Sequence, residues 1–569
     1  MGASEQPERE FEAASASELS THSAVTQSVV EQSFWQAFIQ KIEVEGHDPT
    51  RKSNPDLDPV PPEARVWNWW NYVSYWISDN FSPTGWRKAA SMISLGMSWR
   101  LALLNIAIAE IICGIVITVN GFIGAKYNIS FTIQSRASFG YYLSYGMVFM
   151  RMVVGMFWYG VSTYAGAECV RTMIYAIWPS FRNVANQLPT SAGINTQLMT
   201  AYVIYFASVL PLHYVGVGRL RFLFTVKAIT TPLIGFGIMG WTIKNASIGS
   251  QSLWNEGNTK HGSELGWVFM TGVFSNISGW ATLAVNSPDF TRYAISPKHT
   301  YAMAIALPAT ATLIAFFGVV CAAGSTVLFG ELLWDPLVFV DNWTSKGGRA
   351  AAFFCGLGFY LAQACTNISA NSISAANDLN CMFPRFVNVR RGQYIVAFIG
   401  AWAFVPWNIL TSTTSFLSFM NGYAIWLAPM CGVMVADFYC VHHRRYHTFE
   451  LYNKDGIYRY NRLGVNWNAA AAFTIGWVPL LPGFMTSVNA NIVVGAGADH
   501  LFSLGYFYGF GAAFATYWAL ESIFKHEATQ LVHAVYPDDE NYVMPNYHEE
   551  LIEFYNASGL KDFEVLQHV

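Results

Sequence analysis

The alternation of apolar and polar stretches along the chain predicts twelve helices that are long enough to cross a membrane. A helix needs about 20 mainly apolar residues to span the hydrocarbon core of a bilayer. The predicted spans cover residues 67–95, 98–120, 143–167, 199–217, 221–243, 266–288, 300–329, 351–377, 394–411, 414–440, 466–486 and 502–524. The pattern therefore predicts an all-α polytopic membrane protein.

The first and the sixth of these spans are interrupted by small polar residues and a proline. The first reads WISDNFSPTGW at residues 76–86, and the sixth reads SNISGWATLAVNSPDF at residues 275–290. Backbone that leaves the helical hydrogen-bond pattern at membrane depth must be buried in protein or line a cavity. Two broken helices at matching places in two halves are typical of transporters built from inverted repeats. We therefore predict a secondary transporter of the leucine-transporter type, with a 5+5 inverted repeat and two further helices.

Composition and charge agree with a membrane core between two acidic tails. Of the 569 residues, 53% are hydrophobic and 12% are charged, whereas a typical soluble domain is about 25% charged. Residues 1–65 and residues 525–569 each carry a net charge of −7, and residues 66–524 carry +10. We expect an N-terminal tail over 1–65 that is partly disordered, a twelve-helix core over 66–524 and a C-terminal tail over 525–569.

The basic residues of the connections predict the orientation. The connections after spans 2, 4, 6, 8 and 10 hold 14 Lys and Arg residues, and those after spans 3, 5, 7, 9 and 11 hold 6. Since cytoplasmic loops carry the excess of positive charge, we expect the first set and both termini in the cytoplasm. This predicts a multi-pass protein of the plasma membrane, with the lipid bilayer as a partner and no nucleic acid.

The acidic tails are interpreted as trafficking segments. Ubiquitin-ligase machinery is the partner that we expect there. The candidate acceptor residues are Lys41, Lys52, Lys525 and Lys561.

Polar residues in the first break are candidates for an ion site. Asp79 and Asn80 interrupt the apolar run just before Phe81. An ionisable group at this depth is costly unless it is satisfied, which favours a functional role for Asp79. Alternatively, Asp79 caps the half-helix that follows, whose free N–H groups need an acceptor. The residues alone leave both interpretations open.

Further charged residues fall inside predicted spans. Lys227 lies in the fifth span, about six residues or roughly 9 Å from its inner end. Its side chain either extends to water at the interface, or its ammonium takes the place of a sodium ion and exchanges a proton during transport. Glu110 and Arg151 are interpreted as a packing pair. Asp289 is interpreted as a helix cap or as a partner of Arg292.

The eighth span is unusually polar, reading YLAQACTNISANSISAAND at residues 360–378. Ala362, Cys365 and Thr366 occupy neighbouring positions on one helix face. Oxygen atoms on this face are expected to complete a cation site together with backbone carbonyls of the first break. Asn371 offers both a hydrogen-bond donor and an acceptor, although small polar residues also ease helix packing in membranes.

Two tryptophans are candidates for a binding slot. The apolar pattern places Trp158 and Trp280 in the middle of their spans, with Gly279 beside Trp280 in the second break. Flat indole faces on either side of a slot suit a planar ring, and an amide such as Asn371 suits its polar edge. Phe81 in the first break is a further candidate for contact with the solute.

Several long motifs give the chain a family resemblance. They are NPDLDPVPPEARVWNWWNY at 54–72, GWATLAVNSPDFTRYA at 279–294, TNISANSISAANDLNCMFPRFVNVRRG at 366–392 and SFLSFMNGYAIWLAP at 415–429. The chain resembles the nucleobase–cation symporter-1 family from about residue 54 to residue 525. The most similar branch is the fungal one, which holds permeases for uracil, allantoin, uridine, thiamine and nicotinamide riboside.

The resemblance implies roles for particular residues. A solute slot of this family falls here on Trp158, Gly279, Trp280 and Asn371. The family's cation site, where one is present, falls on Ala362, Cys365 and Thr366, with first-break carbonyls near Ile77 and Asn80. No cofactor is implied beyond the coupling ion.

Two departures from the family pattern bear on the solute and the ion. Ser162 stands where uracil and allantoin permeases usually have glutamine, and a serine cannot form the paired contact of an amide. A bulkier solute, such as a nucleoside or a vitamin-like ring, is therefore favoured over uracil or allantoin. Cys365 stands where sodium-coupled relatives have serine, and a thiol is a poor ligand for a hard cation. Together with Lys227, this predicts proton symport, with sodium symport as the alternative.

Two other classes of protein are weighed against a transporter. The segment HHRRYH at residues 442–447 suggests a metal site or membrane enzyme, but its arginines at the inner interface favour a basic anchoring loop. A channel or a nutrient receptor on the same scaffold is the second alternative. Paired broken helices suit alternating access better than a continuous pore, so we expect a transporter and not an enzyme.

Overall fold

The computed structural model of the protein describes residues 41–215, 217–247, 253–255, 257–489 and 491–539. Within these ranges the regular structure is helical, apart from three isolated β-bridges. The first ten α-helices are α1 (Trp69–Asn80), α2 (Pro83–Ser94), α3 (Trp99–Tyr127), α4 (Phe131–Phe139), α5 (Leu143–Ile177), α6 (Thr196–Val209), α7 (Val217–Ala246), α8 (Gly262–Ser278), α9 (Ala281–Asn286) and α10 (Pro288–Thr291). The others are α11 (Met303–Phe329), α12 (Pro336–Asp341), α13 (Lys346–Thr366), α14 (Ile373–Met382), α15 (Val389–Trp402), α16 (Thr413–Ala436), α17 (Trp467–Trp477), α18 (Leu481–Val488), α19 (Ala496–Ser503) and α20 (Gly505–Ile523).

The helices are interrupted at both places where the sequence predicts a break. The first span is divided into α1 and α2 by Phe81 and Ser82. The sixth span is divided into α8 and α9 by Gly279 and Trp280. At the first break Phe81 and Ser82 both have non-helical torsions, and at the second break the departure is at Trp280, with torsions of −110° and 0°.

Ser82, and not Asp79, caps the helix that follows the first break. Its Oγ atom accepts a hydrogen bond from the backbone N–H of Gly85 at 3.2 Å. The alternative in which Asp79 is the cap is therefore wrong, because the serine adjacent to Pro83 already fills that position. The cap interpretation of Asp289 is confirmed, since its Oδ1 atom accepts a hydrogen bond at 3.0 Å from the backbone N–H of the first residue of α4.

Six continuous helical segments of the described residues are long and apolar enough to cross a membrane. They are Trp99–Tyr127, Thr225–Ala246, Pro297–Phe329, Lys346–Met382, Thr413–Val441 and Trp467–Val488. Each coincides with one of the predicted spans, as expected for a polytopic membrane protein. The full number of twelve crossings stays a prediction.

A π-helical turn lies within the eighth predicted span. Helix α13 ends at Thr366, the π-helical segment covers Asn367–Ser372, and α14 follows directly. Wider turns of this kind are rare and often occur at functional sites. The apolar pattern does not predict this turn. Asn371 lies in this turn, and the turn packs against α5.

The parts of both tails that the structure describes pack against the predicted inner face. Asn54 donates a hydrogen bond to the side chain of Asn380 at 2.6 Å, and Arg65 pairs with Asp538 at 2.8 Å. Residues 1–40 and 540–569 lie outside the described residues. Of the candidate ubiquitin acceptors, Lys561 also lies outside them, and the exposed ones are Lys41, Lys52 and Lys525.

Candidate functional site

The two helix breaks open onto one cavity of about 70 Å³ between α1, α2, α5, α9, α13 and α16. Thr366, the hydrogen-bond partner of Lys227, is one of the lining residues. Seven of the residues predicted for the solute or ion sites line this cavity. They are Asp79, Trp158, Ser162, Gly279, Trp280, Thr366 and Asn371.

Three aromatic side chains line the cavity, which are Trp158 of α5, Trp280 of the second break and Phe416 of α16. Trp158 on α5 packs edge-on against Phe419 of α16, with ring centroids 5.7 Å apart. Trp280 in the second break packs edge-on against Trp76 of α1 at 5.5 Å. Both indoles line the cavity, and each is supported by another ring. This arrangement can bind a planar ring through stacking.

Asn371 supplies a polar edge beside Trp158. Its Nδ2 atom donates hydrogen bonds to the Ser162 hydroxyl at 3.0 Å, to the Asn367 side chain at 3.1 Å and to the Trp158 carbonyl at 3.3 Å. Among the described residues, none donates a hydrogen bond to Oδ1 of Asn371. The amide therefore offers an acceptor to the cavity, and Ser162 serves to orient that amide.

Lys227 reaches the ion end of the site from α7. Its side chain is fully buried, and Nζ donates a hydrogen bond to the hydroxyl of Thr366 at 2.5 Å. The ammonium interacts electrostatically with Asp79 and Cys365. Asp79 in turn accepts a hydrogen bond from Ser369 at 3.1 Å. The alternative in which Lys227 extends to water at the membrane interface is therefore wrong, because its ammonium points into the protein.

The other predicted site residues do not line the cavity. The ring of Phe81 packs against Phe317 of α11 at 6.2 Å, because the turn that ends α1 directs it away from the solute slot. Asn80 donates its amide to Thr310 at 2.8 Å. Ala362 and Cys365 are buried beside Thr366, and Ile77 is half-buried on α1.

Lys88 and Glu110 are site residues that the sequence did not identify. Lys88 lines the cavity, and its Nζ atom is 2.6 Å from Oε1 of Glu110. The same carboxylate oxygen accepts the indole N–H of Trp280 at 3.1 Å. The predicted pairing of Glu110 with Arg151 is wrong, because Arg151 forms an ion pair with Asp378 instead.

Two networks of charged and polar side chains lie on opposite sides of the cavity. On the predicted outer side, Arg87 of α2 pairs with Glu168 of α5 and lies 2.6 Å from Asp335, the cap of α12. On the predicted inner side, Arg151 of α5 pairs with Asp378. Ser374 joins this inner pair to α9 through hydrogen bonds with Arg151 and Asn286.

Two of the three histidines of the segment at 442–447, His442 and His447, are buried after α16, whereas His443 is exposed. His442 Nδ1 is 3.0 Å from Asp437 Oδ1, and the backbone N–H of His447 donates to the Tyr458 hydroxyl at 3.0 Å. Across the part of the chain that the structure describes, no group of three or more His, Cys, Asp or Glu residues is arranged to hold a metal ion. The arrangement fits a structural role.

The charge of His442 gives a pH-dependent stability. Burial lowers the pKa of His442, but the adjacent Asp437 outweighs this effect and raises the pKa above its usual value. A raised pKa means that the stabilisation is complete below about pH 6.5 and is lost as the pH rises through the folded-state value. We therefore expect the Tm of the purified protein to fall over that interval and His442→Gln to flatten the fall.

The thermal measurement has a matched control in His533→Gln, since His533 is an exposed histidine. A loss of about 1 kcal/mol lowers Tm by about 2–4 °C in a protein of about 150–250 residues and by less in a larger one. A His442→Gln protein whose Tm follows the same pH curve as the unmodified protein would contradict the assignment.

Comparisons with known proteins find relatives that match most of this chain. The profile of a family described as permeases for cytosine/purines, uracil, thiamine and allantoin matches residues 59–509. An uncharacterized permease of Schizosaccharomyces pombe is 40% identical over 527 residues, which are 93% of this chain and 92% of that protein. The uracil permease of Saccharomyces cerevisiae is 33% identical over 480 residues, 82% of this chain and 75% of that protein.

A solved structure shares the fold. The structure of Mhp1, a nucleobase-cation-symport-1 family transporter in a closed conformation with bromovinylhydantoin bound, matches with a TM-score of 0.64 at 21% identity. The match covers 83% of this chain and 95% of Mhp1.

Proposed function

Because this chain belongs to the family of permeases for cytosine, purines, uracil, thiamine and allantoin, we propose that it imports a small heterocyclic solute together with a proton by alternating access. The family consists of transporters and not of enzymes. One observation carries the proposal: both helix breaks, two tryptophans and Asp79 meet at one cavity.

The lining supports a planar solute with an N–H group on one edge. Trp158 and Trp280 offer ring faces, and Oδ1 of Asn371 offers an acceptor. Ser162 is shorter than the glutamine of uracil and allantoin permeases, which leaves room beside the amide. The proposed solutes are therefore of the uracil, allantoin, uridine, thiamine or nicotinamide riboside class, with the bulkier rings favoured.

The position of Lys227 supports proton coupling. Its ammonium donates to Thr366 and faces Asp79 and Cys365, so a positive charge is already held where the family's cation site falls. We infer that Lys227 releases its proton towards the cytoplasm and regains one from outside in each cycle. Release leaves a neutral amine beside Asp79, and this change of charge is the driving step.

The two charged networks support alternating access. Arg87 joins α2 to α5 and to the cap of α12 on one side, and Asp378 joins α14 to α5 on the other. The short helices α4 and α12 follow the second and the seventh predicted spans, which are matching places in two inverted repeats. Opening the cavity to either side of the membrane requires only one of the two networks to separate.

Uptake is expected to depend on protons and not on sodium. In a yeast strain without its own permeases, the protein should take up one of the labelled solutes uracil, allantoin, uridine, thiamine or nicotinamide riboside. Replacing external sodium by choline should leave the rate unchanged, because Lys227 supplies the positive charge, and a protonophore should abolish accumulation. Strict sodium dependence would show that the alternative, sodium symport, is correct.

The same measurement separates a transporter from a channel or a nutrient receptor. Saturable uptake against a concentration gradient is possible for a coupled transporter and impossible for a channel.

We further propose that the protein lies in the plasma membrane with both termini in the cytoplasm. Ubiquitin-ligase machinery is proposed to act there on the exposed lysines of the tails. Microscopy of the tagged protein tests the location directly.

A further inference from the structure

Besides its ring contact with Trp76, Trp280 makes two contacts with charged side chains of other helices. Its indole N–H donates to Oε1 of Glu110 at 3.1 Å, and Nζ of Lys88 lies 4.7 Å from the ring centroid. Glu110 is fully buried on α3, and Lys88 lies on α2, after the first break. Residues from three predicted spans therefore converge on one wall of the cavity.

The local backbone does not fix this indole by itself. Trp280 is the residue before α9, with torsions of −110° and 0°, and its side chain makes no capping bond. Gly279 beside it has no side chain, and a Cβ atom there would lie 2.9 Å from Cδ of Lys88. The glycine thus provides the space through which Lys88 approaches the ring.

The hydrogen bond from Trp280 to Glu110 favours one fixed orientation of the indole ring. A buried indole N–H usually has a partner, and a hydrogen bond to a carboxylate is stronger than one to a neutral acceptor. Lys88 keeps that carboxylate paired, with Nζ and Oε1 2.6 Å apart. Neither residue is needed as a solute ligand for this arrangement to hold Trp280 in place.

We propose that Glu110 is a positioning residue, which sets the angle of Trp280 and thereby the affinity for the planar solute, with Lys88 as its charge partner. This inference rests on the function proposed above. It assigns the buried Lys88–Glu110 pair to solute recognition and separates it from the Asp79–Lys227 pair at the ion end.

Two double variants test the role of the Glu110 oxygen. Lys88→Met/Glu110→Gln removes both charges and keeps an acceptor for the indole N–H, whereas Lys88→Met/Glu110→Leu removes the acceptor as well. Neither leaves an unpaired buried charge, so both are expected to fold. The KM for uptake should be about tenfold higher in the leucine variant than in the glutamine variant. The two should have similar maximal rates per molecule at the cell surface.

The same two double variants, made in a protein that also carries Trp280→Phe, show whether the difference in KM depends on Trp280. In a Trp280→Phe protein, which has no indole N–H, the KM values of the glutamine and leucine variants should be equal. Equal KM values in the presence of Trp280, or a difference that persists with phenylalanine, would overturn the inference. Absence of saturable uptake by the unmodified protein would instead overturn the proposed function.

Discussion

Trp158→Ala is expected to reduce uptake by at least about 100-fold, while the protein still reaches the membrane. The indole lines the cavity on α5, and its opposite side is supported by Phe419. Truncating an aromatic side chain that dominates a binding site costs about 3 kcal/mol of binding free energy, within the range found for such residues, and each 1.4 kcal/mol is about tenfold in affinity. The measurement is initial uptake of the identified solute, normalised to the amount of protein at the surface.

Trp178→Ala is the matched control for this substitution. Trp178 directly follows the same helix, but its side chain is 61% exposed and does not line the cavity. The control should retain uptake within about twofold of the unmodified protein. Normal uptake by Trp158→Ala, at normal surface amounts, would show that the solute binds elsewhere.

Lys227→Met is expected to abolish accumulation of the solute. The substitution removes the group proposed to exchange the proton, together with the positive charge that acts on the buried Asp79. Loss of the hydrogen bond to Thr366 and of the positive charge that acts on the buried Asp79 is also expected to make the single variant less stable. Lys244→Met, in the exposed last turn of the same helix, should accumulate the solute normally.

The double variant Lys227→Met/Asp79→Asn separates stability from coupling. It has no unpaired charge, so it should reach the membrane in normal amounts. If Lys227 carries the coupling proton, this variant equilibrates the solute across the membrane without concentrating it, and a protonophore has no further effect. Concentrative, protonophore-sensitive uptake by the double variant would rule out Lys227 as the proton carrier.

The helix breaks could be predicted because local residue types determine them. Pro83 and Gly279 stand within apolar runs that are otherwise suited to continuous helices, and unsatisfied backbone is not tolerated in lipid. Trp158, Trp280 and Asn371 could be selected as candidates from their mid-span positions and their chemistry, and the resemblance to a family supported their assignment to one slot. Nothing in the local pattern reports which spans are neighbours.

The errors arise where the outcome depends on packing between distant spans. The depth of Lys227 in the bilayer can be estimated from the sequence, but the direction of its side chain cannot, and the ammonium points inward. Glu110 has two basic candidates at similar depth, and only the packed structure shows that it contacts Lys88 and not Arg151. Both Glu110 and Lys88 are ionisable residues within predicted spans, and this alone would have made them candidates for the site.

The π-helical turn at Asn367–Ser372 brings the proposed ion contact and the proposed solute contact onto one short segment of backbone. An α-helix rotates about 100° per residue, so Thr366 and Asn371 would otherwise project about 140° apart. With the wider turn, both line the same cavity, one beside the ammonium of Lys227 and the other beside Trp158. Any displacement of this segment moves Thr366 and Asn371 together, so we expect the proposed ion contact and the proposed solute contact to change together.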